Sequence, residues 1–253
     1  MITDPWFYVV AVPAVLLFGI SKGGFGGGLG VVAVPLMALV ISPVQAAAIL
    51  LPILCHMDLV SVWAYRGKWD WYELRIMVPA SLIGIAAGTL LFGYMSAAVV
   101  KLIIGVVAIS FTLYFILATR RRSVEDLPDA PPAAGIAAGA VGGFTSFVAH
   151  SGGPPINMYL LRRPLDKTQF VATTVLLFAA INYVKLLPYG WLGQLSGGNL
   201  MTSIVLAPLA PIGVLTGVWL HKTVSDGFFF RVVYVLLFVV GCKLLYDGVT
   251  GLY

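Results

Sequence analysis

Two glycine-rich breaks interrupt apolar stretches of this sequence, and their residue types point to anion chemistry. Residues 21–28 read Ser-Lys-Gly-Gly-Phe-Gly-Gly-Gly, and residues 150–155 read His-Ser-Gly-Gly-Pro-Pro. Where a helix begins after such a break, its unpaired N–H groups and its dipole favour an anion, and glycine lets the ligand approach. The competing interpretation is close helix packing through small residues. The backbone positions expected to contact an anion are Gly23, Gly24, Gly26, Gly27, Gly28, Ser151, Gly152 and Gly153.

Ionisable side chains inside the apolar stretches supply the candidate charges. Lys22 adjoins the first break, and Lys185 lies near the end of a later apolar stretch. Because a cation within a membrane is costly, each is a candidate anion contact, although each could instead extend its ammonium to the membrane surface. Asp58 falls near the middle of an apolar stretch, where it could carry a proton or neutralise Lys22. His150 borders the second break and is the other candidate for proton coupling.

Two uncharged polar side chains complete the predicted anion site. Asn182 and Thr173 could donate hydrogen bonds to an oxyanion, although a threonine in a membrane helix often bonds its own backbone. An intramembrane enzyme would need a converging catalytic set, and the densest polar cluster is residues 55–58. Consecutive helical positions point about 100° apart, so this cluster does not converge on one reacting atom. We therefore predict no catalytic residue, no metal site and no cofactor.

The composition sets the class of protein that must position these residues. Of the 253 residues, 60% are hydrophobic and only 10% are charged. Soluble domains contain about 25% charged residues, so this chain cannot cover a surface that faces water. The composition indicates an integral membrane protein and excludes a soluble enzyme, a nucleic-acid-binding module and a disordered regulator. The net charge of +5 then bears on membrane orientation and gives no reason to expect a nucleic-acid partner.

Helix length and the two breaks together predict the membrane topology. Each uninterrupted apolar stretch is long enough for the roughly 20 residues that a membrane-spanning helix needs. The two broken regions, 6–41 and 133–161, predict helical hairpins whose pieces are short for a span. Eight to ten helices are expected in all. The six predicted spans are residues 44–65, 74–95, 97–118, 167–188, 199–220 and 227–248.

The distribution of basic residues predicts which side of the membrane each loop faces. When the spans alternate in direction, eleven of the 15 lysines and arginines fall on one face. The positive-inside rule makes this face cytoplasmic and places both termini outside, in a multi-pass protein of the cytoplasmic membrane. The basic residues on this face are Arg66, Lys68, Arg75, Arg120, Arg121, Arg122, Arg162, Arg163, Lys167, Lys222 and Arg231.

The two halves of the sequence resemble each other. Residues 19–35 and 139–155 each hold a glycine-rich stretch, a proline and a short apolar piece, and the pattern Pro-x4-Gly-x3-Gly begins at both Pro79 and Pro208. Each half contains one hairpin and three spans, so the second half enters the membrane from the opposite face. This predicts an all-α protein with two inverted repeats and a ligand site near the midplane. The predicted units are a first repeat (1–118), a cytoplasmic linker (119–132) and a second repeat (133–253).

The motifs occur in an order that resembles one family. They are residues 19–30 with Val34-Pro35-Leu36, residues 65–71 (Tyr-Arg-Gly-Lys-Trp-Asp-Trp), residues 139–144, residues 152–155 and residues 182–185 (Asn-Tyr-Val-Lys). Together they resemble the TauE/SafE-type sulfite exporter family over essentially the whole chain. The resemblance implies a permease for small sulfur-containing or carboxylate anions in the cytoplasmic membrane.

These observations lead to a functional prediction. We expect a secondary transporter for a small anion such as sulfite or a sulfonate, with proton coupling as an open alternative. The expected partners are the anion and the lipid bilayer, and homo-oligomerisation stays open. A passive anion channel is the main alternative, and an intramembrane enzyme is a weaker one.

Overall fold

The computed structural model describes residues 1–121, 129–223, 238–239, 242 and 244–251, which contain helices and no β-strand. Two short 3-10 segments, Gly28–Val32 and Phe92–Tyr94, adjoin α-helices. The α-helices are α1 (Pro5–Gly24), α2 (Ala33–Met37), α3 (Pro43–Ala64), α4 (Trp71–Leu91), α5 (Ala97–Arg121), α6 (Pro132–Ala149), α7 (Gly153–Leu160), α8 (Lys167–Trp191), α9 (Gly197–Leu206) and α10 (Leu209–Thr223).

The described helices confirm the prediction of an all-α, multi-pass membrane protein. Five of them are long and apolar enough to cross a bilayer: α1, α3, α4 with its 3-10 extension, α6 and α8. The predicted spans 44–65, 74–95 and 167–188 coincide with α3, α4 and α8. The span predicted at 97–118 coincides with α5, whereas most of 227–248 and residues 122–128 of the predicted linker lie outside the described residues.

The span predicted at 199–220 is not one continuous helix. It is divided into α9 and α10, which meet at an angle of 44°. Pro208 stands at the junction, where it has no N–H to donate to the preceding helical turn. The hydrophobic stretch was predicted correctly, but its proline converts one straight span into a bent pair of helices.

Both predicted hairpins are present, and each is asymmetric. The first helix of each hairpin, α1 with 20 residues and α6 with 18, is long enough to cross the membrane by itself. The second pieces are short, since α2 has five residues and α7 has eight. The prediction of short pieces on both sides of each break was therefore wrong for α1 and α6. We call residues 25–27 the first tip and residues 150–152 the second tip.

Polar caps fix where the two central helices begin. Ser42 caps α3 by accepting a hydrogen bond from the backbone N–H of Gln45, and Pro43 occupies the first helical position. Asp166 caps α8 within a capping box completed by Gln169. Such caps pair the free N–H groups of the first turn, so they set the register of the residues that follow.

Small residues bring the remaining helices together in two pairs. In the first pair, α1 packs against α10, and a Cβ added to Gly213 would lie 3.0 Å from the Gly19 Cα atom. In the second pair, α6 packs against α4, and a Cβ on Gly84 would overlap the Ala140 carbonyl oxygen. Packing of this kind is typical of membrane helices, whose backbones approach closely where side chains are small. The two pairs hold α1 and α6 in place, and with them the two tips.

The loops form two opposite faces of the helix bundle. Loop 65–70 contacts the start of α8, where Thr173 accepts a hydrogen bond from the Asp70 N–H at 2.8 Å. We call this the basic face, because it carries Arg66 and Lys68. On the opposite face, the backbone N–H of Ile2 donates to Thr202, close to the loops that precede α3 and α9.

Candidate functional site

A buried ion pair joins the first hairpin to the central helix α3. Lys22 lies in the last turn of α1, and its Nζ atom is 2.5 Å from Oδ1 of Asp58. The side chains are 2% and 0% exposed. The other carboxylate oxygen of Asp58 accepts a hydrogen bond from the Asn182 amide of α8 at 2.8 Å. Lys22 therefore points to Asp58 and not to the membrane surface, which favours the pairing interpretation over snorkelling.

A second buried lysine joins α8 to the second hairpin, and its partners are neutral. Lys185 is 0% exposed. Its Nζ atom lies 3.0 Å from both the carbonyl and hydroxyl oxygens of Ser146 and 2.7 Å from Nδ1 of His150. These three acceptors take up the three hydrogens of an ammonium group. Unlike Lys22, this lysine has no carboxylate among its hydrogen-bond partners.

The hydrogen bonds of His150 define its tautomer. Its Nε2 atom lies 2.9 Å from the carbonyl oxygen of Ala47, which can only accept, so Nε2 carries the hydrogen. Nδ1 is then an acceptor and receives the hydrogen bond from Lys185. The imidazole is neutral and bridges α3 and α8 across the second tip.

The backbone at His150 is unusual for a residue with a side chain. Its φ of 51° lies in the left-handed region, where glycine or asparagine normally ends a helix. No other residue with a side chain in the described part of the chain has a positive φ. Such strain persists only where the surrounding contacts impose it, and here two buried hydrogen bonds hold the ring. The second tip therefore depends on Ala47 and Lys185.

A small cavity lies between the two tips. Its polar lining comes from Lys22, Asn182, Ser146 and His150, and its apolar lining from Phe18, Leu54 and Phe178, with Gly27 at the first tip. The volume open to the centre of a water molecule is about 10 Å³, which is room for about one water. Lys185 lies directly behind this wall, bonded to Ser146 and His150. Residues from both hairpins thus line one enclosed centre.

The carbonyls at the end of α1 are bound to neighbouring helices. The Gly23 carbonyl accepts a hydrogen bond from the Tyr65 hydroxyl at 2.6 Å, and the Gly24 carbonyl accepts one from Nδ1 of His221 at 2.8 Å. Gly24 also packs directly on the backbone of Gly217. Gly23 and Gly24 therefore take part in helix packing, and their contact with an anion stays a prediction.

Four other backbone positions that were predicted to contact the anion lie in or beside the two tips. Gly26 and Gly27 form the first tip with φ values of 65° and 70°, which require glycine. Gly28 begins a five-residue 3-10 segment, so the α-helical start expected after the first break is absent there. At the second tip, Ser151 bonds the carbonyl of Ala149.

Three further predicted positions, Gly152, Gly153 and Thr173, do not line the cavity. Gly152 packs against Gly142, and Gly153 begins α7. Thr173 lies near the basic face, where its hydroxyl oxygen accepts the hydrogen bond from Asp70. Only Lys22, Gly27, Asn182 and His150 of the predicted residues line the cavity, with Asp58 and Lys185 bonded to them.

Ser146 is a site residue that sequence reasoning missed. Its hydroxyl oxygen accepts a hydrogen bond from Lys185, which leaves its O–H hydrogen to donate into the cavity. A donor whose oxygen is polarised by an ammonium binds an anion more strongly. The sequence did not distinguish Ser146 from the adjacent Thr145, because both are small hydroxyl residues in the same apolar stretch.

A second ion pair near the basic face was also missed. Nε of Arg163 lies 2.6 Å from Oε1 of Glu73, which is 2% exposed, and Nη1 donates to the Ala130 carbonyl. The hydrogen bond to Glu73 raises the pKa of Arg163, so the guanidinium stays charged. Glu73 lies in the first turn of α4, one residue before the predicted span 74–95 begins. The pair joins α4 to the segments on either side of the second hairpin.

The fold and this site define the class: a multi-pass membrane protein with a buried, charged centre between two broken hairpins. Among the described residues, no group of three His, Cys, Asp or Glu side chains could hold a metal ion. The family model described as "Sulfite exporter TauE/SafE" matches residues 11–244. The chain therefore belongs to the TauE/SafE sulfite exporter family, whose members are membrane transporters of sulfite or related anions. Comparison with curated proteins and with solved structures gives no significant match.

Proposed function

We propose that this protein is a secondary transporter that carries a small sulfur-containing or carboxylate anion across the cytoplasmic membrane. The observation that carries the proposal is Lys185, a lysine buried among neutral acceptors beside the cavity, whose ammonium form has no carboxylate partner. A buried charge is costly unless it is paired, and an anion in the cavity would supply the missing countercharge. Family membership supports a transporter and not an enzyme.

The anion would be held by the residues that line the cavity. Lys22 and Ser146 face it from the two hairpins, and Asn182 faces it from α8. Lys185 would act from behind Ser146, through the hydrogen bond to its hydroxyl. The enclosed centre has room for about one water, which supports a carrier that opens to bind its substrate over a continuously open channel.

An inverted repeat would let this centre open to either side of the membrane. Two observations support the inverted repeat. Each hairpin packs against a helix of the other half, α1 against α10 and α6 against α4. In addition, Asp58 lies 16 residues after the cap Ser42, and its partner Asn182 lies 16 residues after the cap Asp166. Rocking of one repeat against the other around such a centre is a common form of alternating access.

Proton coupling and orientation are further parts of the proposal. An anion that attracts Lys22 would weaken its pair with Asp58 and favour proton uptake there, while His150 could pass a proton at the second tip. The basic face would be cytoplasmic, with both termini outside. Asp58→Asn should then retain anion binding but lose the response of uptake to an imposed pH gradient.

The central test is anion uptake by purified protein in liposomes. Lys185→Met should reduce sulfite or sulfonate uptake about 10- to 150-fold, because it removes the charge that the anion would neutralise and the donor that polarises the Ser146 hydroxyl. Lys68→Met is the matched control, because Lys68 is exposed in a loop. Ser146→Ala, a smaller change, should weaken binding about tenfold.

The outcomes separate the alternatives. Wild-type uptake by a folded Lys185→Met protein would contradict the assignment of the site. Stimulation of uptake by unlabelled anion on the opposite side indicates a carrier, whereas currents without such exchange indicate a channel.

A further inference from the structure

The charges of the described side chains at the centre do not sum to zero when both buried lysines are protonated. Lys22 and Asp58 neutralise each other within the ion pair. Lys185 has only neutral partners, so in its protonated form it leaves one net positive charge beside the cavity. His150 adds none, because its Nε2 hydrogen is given to Ala47 and its Nδ1 is an acceptor.

Two further ionisable groups near the ion pair, Cys55 and Tyr183, do not alter this sum. Cys55 lies on α3 and Tyr183 on α8, and the Tyr183 hydroxyl bonds the Cys55 carbonyl. A thiol and a phenol are ordinarily uncharged at neutral pH. The Glu73–Arg163 pair is neutral as a whole and lies near the basic face.

We propose that this centre selects singly charged anions over doubly charged ones, an inference that rests on the anion transport proposed above. A monoanion would bring the net charge of the centre to zero. A dianion of the same size would leave one uncompensated negative charge in a site with room for about one water. Such a charge is costly, because neither solvent nor a protein cation offsets it.

The proposal defines a substrate class by charge and shape. The donors in the cavity wall are the Lys22 ammonium, the Ser146 hydroxyl and the Asn182 amide, which suit an oxyanion. Sulfonates, hydrogensulfite and small monocarboxylates fall within the class. Sulfate, thiosulfate and dicarboxylates fall outside it.

Methanesulfonate and sulfate provide a matched pair of probes. Both are tetrahedral at sulfur and similar in size, and they differ in one unit of charge. Their dissociation constants for the purified full-length protein can be measured by calorimetry at one ionic strength. We expect wild-type protein to bind methanesulfonate at least about tenfold more tightly than sulfate.

Three variants change the net charge of the centre. Asp58→Asn raises it from one positive charge to two, so sulfate affinity relative to methanesulfonate affinity should rise at least about tenfold. The double variant Lys22→Met/Asp58→Asn restores one net charge, so it should bind both anions more weakly but keep the wild-type preference. Lys185→Met brings the net charge to zero and should weaken both.

Each outcome has a defined meaning. If wild-type protein binds sulfate as tightly as methanesulfonate, the charge rule is overturned while the anion site stands. If it binds none of methanesulfonate, sulfate, sulfite and acetate, the proposed function itself is overturned. A folded Asp58→Asn protein with the wild-type preference would also overturn the rule. So would a double variant whose ratio of sulfate to methanesulfonate affinity rises as far as that of Asp58→Asn. If Asp58→Asn does not fold, the wild-type ratio and the double variant still decide the matter.

Discussion

Removing Lys22 alone should destabilise the protein far more than removing both members of its ion pair. In Lys22→Met, the carboxylate of Asp58 stays buried at 0% exposure with Asn182 as its remaining donor. At 2.5 Å and an effective dielectric constant of about 20, the lost attraction is about 7 kcal/mol. Relaxation and protonation recover part of this, and breaking a buried pair from one side typically costs about 3–5 kcal/mol.

The double variant Lys22→Met/Asp58→Asn tests whether the cost arises from the unpaired charge. It leaves two neutral amides at positions 58 and 182, which can hydrogen-bond to each other. We expect it to recover all but about 1 kcal/mol, because replacing both partners of a buried pair is often nearly neutral. The double variant should then be about 2–4 kcal/mol more stable than Lys22→Met alone.

Thermal unfolding in detergent micelles measures the difference. For a chain of this size, about 3–5 kcal/mol corresponds to a fall in melting temperature of roughly 6–20 °C. Lys68→Met serves as the exposed control and should melt within about 2 °C of the wild type. The reasoning is refuted if Lys22→Met melts like the wild type, or if the single and double variants melt together. Lowering the pH should reduce the defect of Lys22→Met, because protonation of Asp58 removes its unpaired charge.

Three further predictions concern the packing, the second ion pair and the orientation. Gly84→Ala should cost about 1–3 kcal/mol of stability, since its Cβ would overlap the Ala140 carbonyl, whereas Gly93→Ala, in open space, should be neutral in the same melting assay. Glu73→Gln should lower the free energy of unfolding by about 3 kcal/mol by leaving Arg163 without its carboxylate, and equal melting of Glu73→Gln and the exposed control Arg75→Gln would contradict this. In intact cells, with both native cysteines replaced, an impermeant thiol reagent should label Gly197→Cys but neither Lys68→Cys nor Ser123→Cys, and the reverse pattern would invert the proposed topology.

The sequence by itself determined the class of protein and most of its helices. Composition alone required a membrane, because 10% charged residues cannot solvate a surface. The spans of α3, α4 and α8 followed from uninterrupted apolar length, and the breaks followed from glycine, whose backbone freedom is local. Family membership could be inferred because the order of motifs is itself a property of the sequence, and the family model that matches residues 11–244 confirms it.

Only the tertiary structure decided which charges meet. The sequence left Lys22 free to bind an anion, reach the surface or pair with Asp58, because these two residues are 36 positions apart and their contact depends on how α1 packs beside α3. It gave no indication that Ser146 would contact Lys185, or that Glu73 would be buried against Arg163. Hydrophobic periodicity and helix length are local properties that a sequence displays directly. The partners of a buried charge depend on the three-dimensional packing of α1, α3, α6 and α8. This packing gives Lys22 a carboxylate partner and Lys185 only neutral ones.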